Sequence, residues 1–427
     1  MLDLKFIRDN AEEVKENIAN RYMEADVDKV LSLYQERNAI LSEIEDLRKA
    51  RNDNSAKMKG NLEDSKRKAL IEEGKRLKEE IALKESTLEE KEKALMEEVK
   101  TIPNMAHPEA PIGKEDKDNT ELRREGTIPS FAFPPKDHVE LGALLTIVDF
   151  DTATKVTGTK FYYLKNQAVF LELALTRYAL DLLQKEGFTP MITPDLAKEE
   201  IAEGIGFNPR GEESNIYTLE GTDTCLVGTA EITLGGYYAN TILEKDELPI
   251  KMAGLSHCFR REAGAAGKYA KGLYRVHQFT KVEMFVLCLP EESEDWHNRL
   301  ISLEERIFNE LEIPYRVVDT CTGDLGNPAY RKFDIEAWMP GRGDSGGWGE
   351  VTSTSNCTDY QARRLKIRYR GDGKKPEYVH MLNGTAIAVS RAIIAILENF
   401  QRSDGGVRIP EALVPYTGFM EIIPPRT

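Results

Sequence analysis

Residues 259–285 read FRREAGAAGKYAKGLYRVHQFTKVEMF, and the types and spacing of their side chains could handle phosphates and carboxylates. Arg260 and Glu262 alternate along a strand-like run, a Gly/Ala-rich stretch with glycines 264, 267 and 272 follows, and Arg275, Phe279 and Glu283 punctuate the return. Two antiparallel strands joined by a mobile loop are implied. An arginine at an alternating strand position offers a fork of N–H donors to a phosphate or carboxylate. Phe279 offers a face to a purine ring, and the glycines let the loop close over a ligand. A surface hairpin with ordinary cross-strand ion pairs would have the same pattern, so the segment alone leaves both readings open. Neither a G-x-x-x-x-G-K-[ST] loop nor a G-x-G-x-x-G turn opening a helix occurs, so a nucleotide must be held by another device.

Positioning such groups takes a sizeable body, and 427 residues of which 41 % are hydrophobic can supply one. Helical stretches at 169–186 and 295–311 mix with strand-like runs at 281–289, 314–319 and 363–370, without a regular strand-then-helix repeat. That order predicts an α+β body over 131–427, with a central antiparallel sheet flanked by helices. Residues 103–130 carry Pro103, Pro108, Pro111, Gly113, Gly126 and Pro129 among charged residues, and 104–130 reads as a linker.

The first stretch, 1–103, has no proline before Pro103 and a high density of Glu and Lys at helical spacing. Asn10 with Glu13 three residues later predicts a capping-box start before Val14 and Ile18. Val30, Leu33, Ile40, Ile44 and Leu47 then keep three-and-four spacing with Arg37 interrupting the seam. After a break from Asn52 to Ser65, which includes Gly60, the seam resumes at Leu70, Leu77, Ile81, Leu88, Leu95, Val99 and Ile102. An antiparallel helical hairpin results, with a basic tip at Lys57, Lys59, Lys66, Arg67 and Lys68. Some 35 helical residues reach roughly 50 Å, which suits a distant feature of a large partner, although a solvated coiled coil used for dimerisation fits the pattern as well.

The formal charge of −15 is unfavourable for a nucleic-acid binder, but residues 48–80 hold 11 Lys and Arg against 7 Asp and Glu, so a local basic surface is available. Cysteines 225, 258, 288, 321 and 357 are odd in number and form no C-x-x-C pair, which argues against a disulfide framework or a zinc cage. His257 and His277 lack ligand spacing and read as hydrogen-bonded or packing residues. With no stretch of about 20 apolar residues and no apolar leader in MLDLKFIRDN, the expected compartment is the cytoplasm, away from any membrane.

F-R-x-E-A-G at 259–264, R-x-H-Q-F-x-K-V-E at 275–283 and LNGTAIAVSR at 382–391 resemble motifs 2 and 3 of the class II aminoacyl-tRNA synthetases in their seryl form. ITPDL around Pro194 resembles motif 1, which builds that class's homodimer interface. MLDLKFIRDN, IPNMAH, KVTGTKFYYL, TAE at 229–231 and SNCTDYQARR at 355–364 fall in the family's order, so the resemblance is close to full length.

The resemblance implies a ligase that activates L-serine with ATP and passes it to tRNA(Ser), and to tRNA(Sec) where the host has one. Arg260 would hold the α-phosphate and the serine carboxylate, Glu262 the adenine amino group, and Arg275 the outer phosphates. Phe279 and Arg391 would sandwich the adenine. Arg261, Val276, Val351 and Thr352 would complete the ATP site, and Glu350 with Ser353 would hold Mg²⁺. Glu231 and Glu283 would meet the serine ammonium, Thr385 its hydroxyl, with Thr229, Ala230 and Asn383 beside them. The basic tip would track the long variable arm of the tRNA. Two segments depart from the commonest bacterial pattern: the glycine-rich PGRGDSGGWGEVTS at 340–353 and TAEITLGG at 229–236. Rival readings are a ligase that loads a carrier protein, whose relatives lack the helical arm, and a silent homologue, which would have lost an Arg or Glu from these motifs.

Overall fold

The computed structural model describes residues 1–59, 62–208, 215–262, 271–371 and 375–425. Gly60, Gly264 and Gly267 lie outside the described residues. The chain divides into two compact units, Met1–Met105 and Ala106–Thr427.

The first unit is helical: α1 (Leu4–Asp9), α2 (Ala11–Asn20), α3 (Val27–Lys57) and α4 (Asp64–Thr101). The expected capping box at Asn10 does not form. The Asp3 carboxylate caps α1 by accepting from the Lys5 and Phe6 amides, and the Asn10 amide instead donates to the Phe6 carbonyl at 3.0 Å, closing α1. Nor does the seam break at Asn52. Asn54 turns inward and donates to the Leu70 carbonyl across the hairpin at 2.8 Å, so α3 runs on to Lys57. A polar residue facing the partner helix is compatible with helix where the partner's backbone offers an acceptor.

Val30, Ile44, Leu77, Ile81, Leu95 and Val99 are buried between α3 and α4, and Arg37 crosses to Glu92 at 2.8 Å. Ion pairs flank this seam at a heptad interval: Lys29 to Glu98, Glu36 to Lys91 and Glu43 to Lys84. Seven-residue steps of opposite direction in the two helices are the register of an antiparallel coiled coil. Lys57 ends α3, Lys59 follows it, and Lys66, Arg67 and Lys68 lie in the opening turns of α4, all exposed.

The second unit is built on an eight-stranded sheet: β1 (Thr120–Glu125), β2 (Thr189–Ile192), β3 (Ile250–Phe259), β4 (Gln278–Cys288), β5 (Tyr315–Asp319), β6 (Arg331–Met339), β7 (Gly347–Asn356) and β8 (His380–Ala388). Its spatial order is β1-β5-β6-β7-β8-β4-β3-β2, antiparallel except for β2 beside β3. The sheet is thus mixed only at one edge. β1 falls inside the stretch read as a linker: its charged, wholly exposed residues need no buried face at a sheet edge, and Thr120–Glu125 pairs with β5. The strand expected at 363–370 is divided between a helix, Tyr360–Leu365, and a short strand, Arg368–Arg370, because Lys366 adopts a left-handed conformation and turns the chain.

Helices α5 (His138–Leu144), α6 (Gln167–Lys185), α7 (Ala230–Tyr237), α8 (Ser293–Glu310) and α10, which follows the Tyr360–Leu365 helix (α9) and spans Val389–Asn399, cover the sheet. Leu171, Leu175 and Leu182 of α6, Leu300, Ile307 and Phe308 of α8, and Ile393 and Leu397 of α10 pack on Val282, Met284, Ile335 and Ile387. Each such side chain contributes roughly 1.5–3 kcal/mol on burial. The central strands β4 and β8 are buried nearly throughout, which is why 281–289 reads as a continuous apolar run interrupted only by Lys281 and Glu283. Both interruptions line the cleft described below.

Candidate active site

A cleft of about 180 Å³ opens on the sheet just past the end of β3, where β4, β7 and β8 meet the start of α7 and α10, and it is lined by residues of those five elements together with Arg260 and Glu262, which follow β3. Gly254 on β3 lets α7 approach: a Cβ there would come within 2.8 Å of Leu234 and 3.0 Å of Ala230. The close approach brings Thr229 and Glu231 at the head of α7 over Glu283, the strand partner of Gly254.

One end of the cleft is a closed polar cage. Thr385 sits opposite Glu283 in register and donates to its carboxylate at 3.2 Å, and Thr229 donates to the same oxygen at 3.4 Å. Lys281, two residues back along β4, forms a buried ion pair with Glu283. Glu231 accepts from Gln361 at 2.7 Å and from Asn383 at 3.0 Å. Burial, then the neighbouring Glu283 carboxylate, push the Glu231 pKa up to about 7, against the pull of the Gln361 hydrogen bond. Behind the cage, Thr352 donates at 2.8 Å to Glu304, a fully buried carboxyl that burial raises well above the usual range.

The other end is cationic and aromatic. Arg260 donates to the Gly228 carbonyl at 3.3 Å and holds its guanidinium 5.4 Å from the Phe279 ring centroid. Glu262 accepts from Arg275 at 3.2 Å and has φ of +48°, a left-handed conformation costing a non-glycine residue about 1–3 kcal/mol. Arg391 lies 4.8 Å over the Tyr274 ring and donates to the Glu350 carbonyl at 3.0 Å, and Tyr274 donates to the same carbonyl at 3.2 Å.

Burial opposes ionisation of Glu350, yet Arg391, Lys332 and Arg260 hold its carboxyl below the usual range. Glu350 and Ser353 are three apart and would face opposite sides of a regular strand. A register shift opposite Ile335/Glu336 inserts Val351 as a bulge, and both residues consequently line the cleft. One ionised carboxylate and one hydroxyl fit Mg²⁺, an ion bound by few protein oxygens and mainly by substrate phosphates. No group of three or more His, Cys, Asp or Glu side chains suited to a metal occurs among the described residues.

The cleft therefore gathers Thr229, Glu231, Arg260, Glu262, Arg275, Val276, Phe279, Glu283, Glu350, Val351, Thr352, Ser353, Asn383, Thr385 and Arg391, which is nearly the whole set expected from the sequence. Two expected residues are not among its lining. Ala230 is buried against Gly254, and Arg261, offset by one from Arg260 and Glu262, is exposed with its amide donating to Asn215. His257 bonds Asp195 at 2.8 Å and His277 the Arg260 carbonyl at 2.9 Å, and all five cysteines are buried outside any disulfide. Lys281, Tyr274, Gln361 and Glu304 were missed. For Lys281 and Glu304 the available signal was a charge inside an apolar strand or on the apolar stripe of a helix.

The Seryl-tRNA synthetase N-terminal domain matches residues 1–106, and the tRNA synthetase class II core domain (G, H, P, S and T) matches residues 217–400. A serine–tRNA ligase of Treponema denticola is 64 % identical over 422 residues, 99 % of this chain and 100 % of that one. The chain belongs to the seryl-tRNA synthetase family. A second member, the serine–tRNA ligase of Borrelia recurrentis, is 59 % identical over 424 residues, covering 99 % and 100 % of the two chains. The fold is that of the family: the seryl-tRNA synthetase of Pyrococcus horikoshii, solved in complex with ATP, superposes over 100 % of both chains with a TM-score of 0.91 at 44 % identity. Family membership makes the protein an enzyme, a ligase.

Proposed function

We propose that the protein is a serine–tRNA ligase, joining L-serine to AMP with release of pyrophosphate and then transferring the seryl group to the 3′-terminal adenosine of tRNA(Ser). The observation that carries the reading is the juxtaposition of the Glu231–Glu283–Thr385 cage with Arg260 and Phe279 in one cleft. The cage suits a small ammonium compound with a hydroxyl. Ionised Glu231 and Glu283 meet the ammonium, Thr385 and Asn383 meet the hydroxyl, and alanine, lacking it, would leave these buried groups unpaired.

Arg260 orients the serine carboxylate against the α-phosphorus and neutralises charge that develops there. The carboxylate oxygen is itself the nucleophile and pyrophosphate the leaving group, so positioning and fixed cations suffice without a protein base. Phe279 and Arg391 stack the adenine, Glu262 accepts from its amino group, and Arg275 meets the outer phosphates. Glu350 and Ser353 would hold Mg²⁺, which supplies charge neutralisation at the phosphates.

The exposed cations at the hairpin tip support binding of the tRNA's long variable arm by phosphate contacts and shape, and a host tRNA(Sec) of that shape would be a second acceptor. A homodimer is supported by apolar surface around the motif 1 resemblance, where Phe170 (55 %), Leu173 (60 %) and Ile192 (84 %) are exposed. No helix among the described residues is long and apolar enough to cross a membrane, and a cytoplasmic location goes with this function.

Transfer of labelled serine to bulk bacterial tRNA, with threonine, alanine and glycine run beside it, tests the reading. Charging with serine alone is expected. Serine-dependent ATP–pyrophosphate exchange without charging would point to another acceptor, and loss of both would overturn the proposal.

A further inference from the structure

A second cavity adjoins the cleft at Tyr274, lined among others by His138, Lys271, Gly341, Arg342 and Glu398. At its base lies a buried hydrogen-bonded pair that the chemistry above does not use: His138 and Glu398, with side chains 8 % and 2 % exposed and Nδ1 to Oε1 at 2.8 Å. Three chain segments converge on it. The same Glu398 Oε1 accepts from the His138 amide at 3.0 Å, and Oε2 accepts from the Gly341 amide at 2.8 Å. On the other side of the ring, His138 Nε2 accepts from the Leu273 amide at 3.2 Å. Gly272 makes that contact possible, with φ of +63° and a position where a Cβ would fall 2.2 Å from Nε2.

Leu273 immediately precedes Tyr274 and Arg275, on the limb that returns to β4. Gly341 immediately precedes Arg342, whose guanidinium lies 4.7 Å over the Tyr274 ring. Glu398 belongs to α10, which also carries Arg391 over the same ring. The pair therefore ties together the three segments that frame Tyr274 and the ATP end of the cleft. Its hydrogen bonds also define the ring's tautomer. An Nε2 that accepts from an amide cannot carry the proton, so Nδ1 carries it and donates to Glu398.

We infer that His138 and Glu398 are positioning residues for the ATP half of the site, acting through the Leu273 and Gly341 amides to fix Tyr274, Arg275 and Arg391. The inference rests on the adenylation reading above. Glu398 is needed as a carboxylate because it faces three donors. A glutamine there turns its NH₂ either on the Gly341 amide or on the His138 Nδ1–H and the His138 amide. Glutamine at 138, by contrast, can offer an oxygen to Leu273 and an N–H to Glu398.

Serine-dependent ATP–pyrophosphate exchange by the full-length protein reads the effect. H138F leaves the Leu273 amide unpaired and removes one of the three donors that face Glu398, and an unmade buried hydrogen bond of this kind corresponds to a rise of about tenfold in KM for ATP. KM for serine should stay within about twofold in the same variant, because the Glu283 cage is not tied to the pair. E398Q should behave like H138F, and H138Q should restore the parent's KM for ATP. Equal rises in both KM values, or indistinguishable H138Q and H138F, would overturn the inference.

Should H138F or E398Q fail to fold, the ¹⁵N spectrum of histidine-labelled parent protein decides the matter, the His138 resonances being those missing from H138Q. A ring proton on Nδ1 is expected, and a proton on Nε2 sinks the proposal. A parent protein inactive in exchange would defeat the adenylation reading and leave that tautomer measurement standing by itself.

Discussion

Serine capture should be coupled to proton loss at Glu231. The carboxyl titrates at about 7 rather than at its ordinary 4.5, because burial and Glu283 disfavour its charge. An incoming ammonium favours the ionised form. KM for serine should therefore fall as pH rises from about 6 to about 8, while KM for ATP stays flat. E231Q should bind serine weakly and without that slope, and a wild-type KM independent of pH would remove Glu231 from the ammonium site. The sign for stability is the reverse. A folded-state pKa above the unfolded one means that stability is lost as pH rises from the ordinary carboxyl range through about 7. Melting without serine should show that loss, and E231Q should lack it.

Lys281 makes a second prediction at this scale. K281M leaves Glu283 buried without its cation, and breaking such a pair costs about 3–5 kcal/mol, visible as a lowered urea midpoint. Lys281 and Glu304 also show where sequence reading runs out. The Arg, Glu and Thr positions of the cleft could be found because they occur in recognisable strings. A lysine whose role is to neutralise a neighbour two residues along a strand, or a helix glutamate seated under the sheet, looks like any other charge until burial is known.

Elements were legible where periodicity was strong and unreliable where polar residues could serve either state. The long helices Gln167–Lys185 and Ser293–Glu310 and the strand Gln278–Cys288 announced themselves by apolar spacing. Asn10 and Asn54 misled because an asparagine side chain can end a helix or satisfy a backbone carbonyl inside one, and only the partner decides. The bulge at Val351 left no trace in composition, although it is what turns Glu350 and Ser353 to one face.

The tip of the hairpin carries this scale's prediction. Replacing Lys66, Arg67 and Lys68 with alanine should raise KM for tRNA and flatten its salt dependence, each lost phosphate contact reducing the log–log slope by about 0.7–0.9. ATP–pyrophosphate exchange should be unchanged. A salt slope equal to the parent's would move the tRNA contact elsewhere.

For the whole molecule, the exposed Phe170, Leu173 and Ile192 predict self-association, since charged substitutions there would be tolerated by a monomer but not by a dimer that buries them. Sedimentation of the parent should give twice the 48.3 kDa chain mass, and F170E/L173E should sediment as the single chain. A parent that already sediments as one chain would refute the assembly. The same measurement on H138Q should match the parent.

The seven-residue cadence of ion pairs along the hairpin has a consequence for how such a protein can change over generations. Inserting one residue in either helix would shear the charges beyond it past their partners and rotate the apolar seam there out of contact. Matched insertions of seven in both helices restore each pairing and lengthen the arm by about 10 Å. The reach of the arm is thus quantised, like the teeth of a rack, and natural length variants should differ by whole heptads taken in pairs.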